Sequence, residues 1–340
     1  MKILVTGGAG YIGSHTIVEL VNAGYQSIVS VDNFINSSAE VYDRIEKVSG
    51  QKIEYYNIDL SKRTETTAFF KQHSFDAVIH FAALKSVPES VEQPELYYHN
   101  NLNSLLNVME GMKLSNCNQL IFSSSCSVYG NPDKLPVMED TPFGEAESPY
   151  ARSKQMGENI ISDFCKSRKN FKALSLRYFN PVGAHPSAQL GEAQSQRPNN
   201  LVPIITQTAA GIREKVTVFG DDYNTRDGSC IRDYIHVIDI AKAHVKGVEF
   251  LNELSKEDNN YEVINLGSGN GTTVLEMVKA FEEVNQLKLN YEIGPRRAGD
   301  VEAIYANNSY AKKKLAWEAK HSLEDMLSSA WKWQKALKNQ

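Results

Sequence analysis

The sequence predicts an α/β fold in which a doubly wound parallel sheet is followed by a smaller domain of mixed α/β structure. Short apolar runs alternate with helix-length amphipathic segments through the first half of the chain, which is the rhythm of successive βαβ units. After about residue 180 this rhythm loosens into long loops with helices between them. We therefore expect domains at residues 1–180 and 181–340, with some segments of the second part packing back on the first.

The predicted strands are short, apolar runs, as expected for parallel strands that are buried on both faces. In chain order they are "KILVT", "SIVSV", "KIEYY", "AVIHF", "QLIFSS" and "ALSLRYF". The first helix is predicted in "IGSHTIVELVNAG", where Ile17, Leu20 and Val21 fall on one face. Gly24 supplies its C-terminal stop.

Composition excludes several classes of protein. The chain has 340 residues, 41% of them apolar, which is enough for about two domain cores. A net charge of -5 without a basic stripe predicts no nucleic-acid partner. The opening "MKILVTGG" reaches glycines too soon for a signal peptide or a membrane span, so we expect a cytoplasmic protein with no membrane partner. The cysteines form no CxxC pair, which predicts reduced thiols and no metal site. They are Cys117, Cys126, Cys165 and Cys230.

The glycines of "TGGAGYIG" predict a dinucleotide site. Gly7, Gly10 and Gly13 stand between the first strand and the first helix, where a backbone without Cβ atoms lets a pyrophosphate approach the helix N-terminus. Asp32 follows at the end of the second strand, where its carboxylate can accept from a ribose hydroxyl. An acid there repels a 2′-phosphate, so the predicted cofactor is NAD rather than NADP. Asp59, after the third strand, can reach the adenine, although a strand-end cap explains it equally well.

The stretch "SPYARSK" contains the catalytic candidates Tyr150 and Lys154. Tyrosine and lysine at this spacing are expected once by chance in such a chain, so the context decides. Ser148 is a natural N-cap and Pro149 a natural first helical residue, which places the pair on one face of the first helical turns. Ser125 lies just beyond the fifth strand, at the sheet edge that faces the cofactor. The alternative is a buried tyrosine that is hydrogen-bonded for stability alone.

Several motifs together resemble the extended short-chain dehydrogenase/reductases, and among them the nucleotide-sugar 4-epimerases. These motifs are "TGGAGYIG", "FSSSCSVYG", the Tyr-x-x-x-Lys pair, "LRYFNPVGAH" and "IRDYIHVIDIA". The resemblance extends from Met1 to about Trp333. It implies an isomerase that interconverts UDP-glucose and UDP-galactose through NAD-dependent oxidation at C4, rotation of the 4-keto sugar and re-reduction. It also implies a homodimer formed through helices near residues 94–114 and 149–169.

The resemblance assigns roles to the three candidate catalytic residues. Tyr150 is the general base, Ser125 its hydrogen-bonding partner at the sugar O4, and Lys154 a ligand of the nicotinamide ribose. Chemistry supports these roles. A free tyrosine has a pKa of about 10, and this pKa must be lowered by about three units, or about 4 kcal/mol, for the side chain to act as a base near neutral pH. Lys154 and the positive nicotinamide ring are the available cations.

Two wider sets of contacts are implied by the resemblance. The cofactor contacts are Gly7, Gly10, Tyr11, Ile12, Gly13, Asp32, Asn33, Asp59, Leu60, Phe81, Ala82, Ala83, Lys85, Asn100, Tyr150, Lys154 and Phe179. The UDP-sugar contacts are Ser125, Tyr150, Asn180, Asn200, Leu201, Phe219, Arg232, Tyr234, Arg297, Asp300 and Ile304. On sequence alone, Lys85 and Asn100 are equally a surface lysine and a helix cap. The two arginines suit a diphosphate and Phe219 can stack on a pyrimidine.

The residues after the catalytic serine favour epimerisation over related reactions. Dehydratases of this group carry an Asp-Glu pair there and decarboxylases a glutamate, whereas this chain has Cys126 and Ser127. Ile304 stands where a bulky tyrosine accompanies strict UDP-glucose and UDP-galactose specificity and a smaller residue accompanies the N-acetyl sugars. Substrate breadth therefore stays open. A non-catalytic NAD-binding sensor is a further alternative, although it has no need for the intact Ser125, Tyr150 and Lys154 set.

Overall fold

The computed structural model describes residues 1–192, 198, 200–255, 259–297 and 300–338. Strands and helices alternate through the first half. In chain order they are β1 (Lys2–Thr6), α1 (Tyr11–Asn22), β2 (Ser27–Asp32), α2 (Glu40–Ser49), β3 (Glu54–Asn57), α3 (Arg63–Gln72), β4 (Ala77–His80), α4 (Val87–Glu92), α5 (Pro94–Leu114), β5 (Gln119–Ser125), α6 (Pro149–Ser167) and β6 (Lys172–Tyr178).

The second half has shorter strands and longer connections. Its elements are β7 (Asn180–Val182), α7 (Leu201–Ala209), β8 (Val216–Phe219), β9 (Ile231–His236), α8 (Val237–Glu253), β10 (Tyr261–Leu266), β11 (Gly271–Thr273), α9 (Val274–Asn285), β12 (Tyr291–Gly294), β13 (Ala303–Ile304), α10 (Ser309–Leu315) and α11 (Leu323–Lys338).

Across the described residues the main sheet has seven strands in the order β10-β6-β5-β4-β1-β2-β3, and all neighbours are parallel. The predicted fold class is confirmed. The chain order reverses between β1 and β4, and a crevice opens at the carboxyl ends of strands at such a switch point. The edge strand β10 comes from the second half of the chain, where Tyr261 pairs with Ala173 of β6.

Helices cover both faces of this sheet, which explains why its central strands are apolar throughout. On β1, Ile3 and Val5 face a core shared with α1, α2 and α8, and Leu4 faces a core shared with α3, α5 and α6. Fully burying each such side chain contributes about 1.5–3 kcal/mol. The other edge strand, β3, is largely exposed. It begins at Glu54, two residues later than the "KIEYY" run predicts, because its pairing with β2 begins where Val29 meets Glu54.

The smaller part of the molecule forms the opposite wall of the crevice. Strands β11, β9 and β13 form a mixed sheet to which β7 adds through β9, and β8 pairs with β12 in parallel. Helices α7, α9 and α11 pack around a third apolar core that includes Val218 and Phe281. Of the helices in the described ranges, none is long and apolar enough to cross a membrane. All four cysteines are free.

Candidate active site

A cleft of about 720 Å³ runs along the carboxyl ends of the main strands. Most of the predicted cofactor residues line it. They are Gly7, Gly10, Tyr11, Ile12, Gly13, Asp32, Asn33, Asp59, Leu60, Phe81, Ala82, Ala83, Lys85, Asn100, Tyr150 and Lys154. Phe179 instead packs in a buried cluster with Val128, Tyr129 and Ile304. Its contact with a cofactor stays a prediction.

The glycine loop is too tightly packed for side chains, and a backbone without Cβ atoms can approach a pyrophosphate closely. Gly7 has a φ of +69°, in the left-handed region that favours glycine. A Cβ atom on Gly13 would lie 2.3 Å from the Gly7 carbonyl oxygen. Helix α1 begins after Gly10 with no side-chain cap and no acidic residue in its first turn. Its first N–H groups thus remain for an anion, as in dinucleotide-binding folds.

Asp32 ends β2 and faces the cleft with most of its hydrogen-bonding capacity in use. Its Oδ2 atom accepts from the Ala9 N–H at 3.1 Å. Its Oδ1 atom accepts from the Phe34 N–H and the Ser37 hydroxyl, both at 2.9 Å. Burial raises the pKa of Asp32, although these hydrogen bonds oppose the shift. The Asn33 N–H also acts on this carboxylate, so a ribose hydroxyl would share its oxygens with these protein donors.

Three further cofactor candidates hold defined positions in the cleft. Asp59 lies two residues beyond β3, and its Oδ1 accepts from the N–H and hydroxyl of Ser61 at 3.0 and 2.6 Å. It therefore caps a turn and also lines the cleft, and its contact with an adenine stays a prediction. Lys85 Nζ donates to Glu192 Oε1 at 3.0 Å. Asn100 lies inside α5 and is not the helix cap that its sequence allows.

The catalytic candidates meet where β5 and α6 approach each other. The predicted start of α6 is confirmed, because the Ser148 hydroxyl accepts from the Ala151 N–H at 3.2 Å and Pro149 is the first helical residue. Ser125 ends β5, and its hydroxyl lies near that of Tyr150, where it acts to lower the pKa of the phenol. Lys154 Nζ donates to the carbonyl oxygen of Ser123 at 2.6 Å.

Burial sets the protonation of this pair. It raises the pKa of Tyr150 to about 12, against the lowering effect of the nearby Ser125 hydroxyl. It lowers the pKa of Lys154 to about 8, against the raising effect of Glu158. The protein's own groups therefore do not produce a tyrosine base at neutral pH. The site needs an additional positive charge beside the pair.

Some predicted substrate residues form a charged cluster. Arg232 Nη2 donates to Asp300 Oδ1 at 2.6 Å, and Arg297 Nη2 donates to the same oxygen at 3.1 Å. The Arg297 guanidinium lies 5.7 Å from the centre of the Phe219 ring. Arg232 also acts electrostatically on Cys126, the residue after the catalytic serine. Of this cluster, Arg297 lines the cleft, whereas Arg232, Phe219 and Asp300 are not among its lining residues. Their contact with a nucleoside diphosphate stays a prediction, which their chemistry suits.

The other predicted substrate residues divide into two groups. Asn180 and Asn200 line the cleft together with Arg297. Leu201, Tyr234 and Ile304 lie in apolar cores, and Ile304 is only 4% exposed. Their contacts with a substrate stay predictions.

Sequence reasoning missed residues that complete the cleft. The Ser37 hydroxyl donates to Asp32. Two adjacent serines that follow the second strand are the sequence feature that could have indicated a polar contact there. Glu192 accepts from both Lys85 and Asn200, and no local pattern marks it. Trp333 on α11 donates from its indole N–H to the Glu192 carbonyl at 3.1 Å. The contact joins residues 141 positions apart, which a local pattern does not reveal.

Comparisons with known proteins agree with this geometry. A family model described as GDP-mannose 4,6 dehydratase matches residues 4–330. The UDP-glucose 4-epimerase of Bacillus subtilis (strain 168) is 47% identical over 334 residues, covering 98% of this chain and 97% of that protein. The UDP-glucose 4-epimerase of Drosophila melanogaster is 44% identical over 338 residues, covering 98% of this chain and 96% of its own.

Solved structures show the same likeness. The structure of UDP-glucose 4-epimerase from Bifidobacterium longum in complex with NAD+ and UDP superposes with a TM-score of 0.94 at 44% identity, covering 100% of this chain and 99% of that one. The enzyme from Stenotrophomonas maltophila with bound NAD and formylated UDP-arabinopyranose gives a TM-score of 0.95 at 43% identity, with the same coverage. The chain belongs to the UDP-glucose 4-epimerase family of extended short-chain dehydrogenase/reductases.

Proposed function

We propose that this protein is an isomerase that interconverts UDP-glucose and UDP-galactose with a retained NAD. The observation that carries the proposal is the meeting of Ser125, Tyr150 and Lys154 beside a glycine loop shaped for a pyrophosphate. Its family supports the same activity. We further propose that residues 1–180 hold most of the NAD site and residues 181–340 most of the UDP-sugar site.

The proposed mechanism uses the protein's groups to move one proton and to hold the substrate. The glycine loop and Asp32 would hold NAD, which would accept and return a hydride at C4 and bring a positive ring charge to the site. Tyr150 removes the O4 proton through Ser125 and later returns it to the same oxygen. Lys154 favours the phenolate form of Tyr150. The 4-keto sugar must turn over between the two steps, so the charged cluster around Arg232 holds the diphosphate and leaves the hexose loosely bound.

Epimerisation is favoured over dehydration by the residues that follow Ser125. A dehydratase needs a second acid and base at C5 and C6, whereas Cys126 and Ser127 occupy those positions. Neither residue is a carboxylate, so neither supplies that second acid and base. The 4-keto sugar is therefore re-reduced rather than dehydrated.

The N-acetyl sugars define the second candidate function. Ile304 is smaller than tyrosine and packs against Val128, Tyr129 and Phe179 in a buried cluster. A structure named as the UDP-Glc/GlcNAc 4-epimerase of Campylobacter jejuni is 36% identical to this chain. Higher identities to enzymes named UDP-glucose 4-epimerase favour UDP-glucose and UDP-galactose as the main substrates.

Assembly as a homodimer and a cytoplasmic location belong to the same proposal. Helices α5 and α6 pack against each other, and each carries exposed apolar side chains. They include Leu96 and Leu106 on α5 and Met156 on α6. Two such helix pairs can bury these side chains in a four-helix contact. The four free cysteines support a reducing compartment.

A proton NMR time course with UDP-galactose and no added cofactor tests the proposal. The purified protein should produce UDP-glucose up to a constant ratio. The Tyr150→Phe variant should lose about 10²- to 10⁴-fold in rate because the general base is absent, and its affinity for UDP should stay unchanged. Unchanged UDP-galactose, with and without added NAD, would reject the proposed activity. UDP-N-acetylglucosamine in the same assay measures the second candidate.

A further inference from the structure

A buried ion pair lies beneath the catalytic centre. Glu158 on α6 and Arg177 on β6 are joined by two hydrogen bonds, from Arg177 Nε to Oε1 at 2.9 Å and from Nη2 to Oε2 at 2.6 Å. Their side chains are 3% and 5% exposed. Two charges removed from water in this way need good geometry and further hydrogen bonds, which makes the surroundings of the pair informative.

The pair is connected to both sides of the catalytic Ser125. The hydroxyl of Ser124, the preceding residue, donates to Glu158 Oε1 at 2.5 Å. On the other side, Arg177 Nη1 donates to the hydroxyl of Tyr129 at 2.8 Å. Tyr129 ends the short 3-10 turn that follows Ser125. The catalytic serine therefore lies between two residues that are tied to the same buried charges.

Helix α6 contacts three consecutive residues of β5 through three successive turns. Tyr150, Lys154 and Glu158 are four residues apart and share one helix face. The Tyr150 hydroxyl lies near that of Ser125, and Lys154 Nζ donates to the Ser123 carbonyl. Glu158 accepts from the residue between them, Ser124. The first two contacts belong to the proposed catalytic machinery, and the third fixes the register of helix against strand.

Glu158 also acts on the charge of Lys154. Burial lowers the pKa of Lys154, and the Glu158 carboxylate raises it again. His80, which faces Lys154 from β4, is neutral because burial and Lys154 lower its pKa to about 3. Tyr178 on β6 faces Tyr150 and is hydrogen-bonded to Ser123. Glu158 is thus the carboxylate on this face that favours a charged Lys154.

We propose that Glu158, held by Arg177, is a positioning residue that sets Ser125 against Tyr150 through Ser124. Glu158 is not among the residues that line the cleft. The inference rests on the proposed function, because its effect is measured on the C4 reaction. It adds a role for residues that the motif Tyr-x-x-x-Lys does not include.

The Ser124→Ala variant is the first test, since it removes one hydroxyl and leaves the ion pair intact. We expect kcat for UDP-galactose to fall about tenfold, from the loss of one hydrogen bond to a charged group, with KM and UDP affinity unchanged. Hydrogen–deuterium exchange should rise in peptides that cover residues 123–129. A wild-type kcat together with wild-type exchange would overturn the inference.

A second test separates positioning from stability. Glu158→Gln leaves Arg177 buried without its partner and can fail to fold, whereas Glu158→Leu combined with Arg177→Met removes both charges, a replacement that is often tolerated. We expect the double variant to fold and retain UDP binding but to keep a kcat at least about tenfold below wild type. If Glu158→Gln folds, the alkaline limit of its kcat should move to lower pH, because Lys154 loses its proton more easily. Full activity in the double variant would show a role in stability alone.

A matched control comes from a distant ion pair. Glu262 accepts from Lys314 Nζ at 3.1 Å and from the Tyr310 hydroxyl at 2.9 Å, and its side chain is 12% exposed. Glu262→Gln should leave kcat and its pH profile unchanged. Inactive wild-type protein would reject the proposed function, and the exchange experiment would still decide whether Ser124 orders the Ser125 segment.

Discussion

Replacing Lys154 with methionine removes a positive charge beside Tyr150 while keeping a side chain of similar length. Lys154 Nζ lies 5.8 Å from the centre of the Tyr150 ring. At an effective dielectric constant of about 20, a unit charge at this distance stabilises the phenolate by about 3 kcal/mol, or about two pKa units. Activity that requires the phenolate should therefore appear only at higher pH. We expect kcat near neutral pH to fall about a hundredfold.

The assay is the pH dependence of kcat for conversion of UDP-galactose to UDP-glucose. The acid limb of the Lys154→Met profile should lie about two pH units above that of the wild type. Retained NAD is measured in parallel, so that loss of cofactor is not mistaken for loss of the base. The control is Lys314→Met, which changes the same Tyr-x-x-x-Lys spacing away from the cleft and should leave the profile unchanged. An acid limb in Lys154→Met that coincides with the wild type would refute this account of Tyr150.

Three further outcomes are expected. Gly13→Ala should purify without NAD, because its Cβ would lie 2.3 Å from a backbone oxygen of the glycine loop; the nucleotide content of the purified protein checks this. Leu106→Lys should yield monomers in analytical ultracentrifugation, because it places a charge on the exposed apolar face of α5. His321 bonds Asp239 at 2.9 Å, and this raises the pKa of His321. The His321–Asp239 pair therefore stabilises the fold fully below the ordinary histidine pKa of about 6.5, and this stabilisation is lost as pH rises through the raised pKa. The thermal midpoint should fall across that range in the wild type and fall less in His321→Gln.

Local sequence signals predict the parts of the site that are built locally. The start of α6 depends on Ser148 and Pro149, which act within one helical turn, and the structure shows both in their expected roles. The glycine loop is predicted because positive φ at Gly7 and close approach at Gly13 are properties of single residues. The apolar runs likewise predict the central strands, because strands buried on both faces are apolar along their whole length.

Contacts between distant segments explain what could not be predicted. Strand β10 pairs with β6 across more than eighty positions, and no periodicity in "YEVINL" indicates this partner. Glu192 and Trp333 meet only because α11 packs beside the cleft. The hydrogen bond between Ser124 and Glu158 is also a contact between distant segments. Neither residue type indicates that β5 and α6 will place the two side chains together.

The most direct test of the central claim follows the hydrogen at C4. UDP-galactose that carries deuterium at C4 is incubated with the purified protein in ordinary water without added cofactor. If C4 is oxidised and re-reduced by one retained NAD, the UDP-glucose formed should keep its deuterium, and its H4 signal should be absent from the proton NMR spectrum. An H4 signal of full intensity in the product would mean that the hydrogen came from solvent, and it would contradict the proposed mechanism.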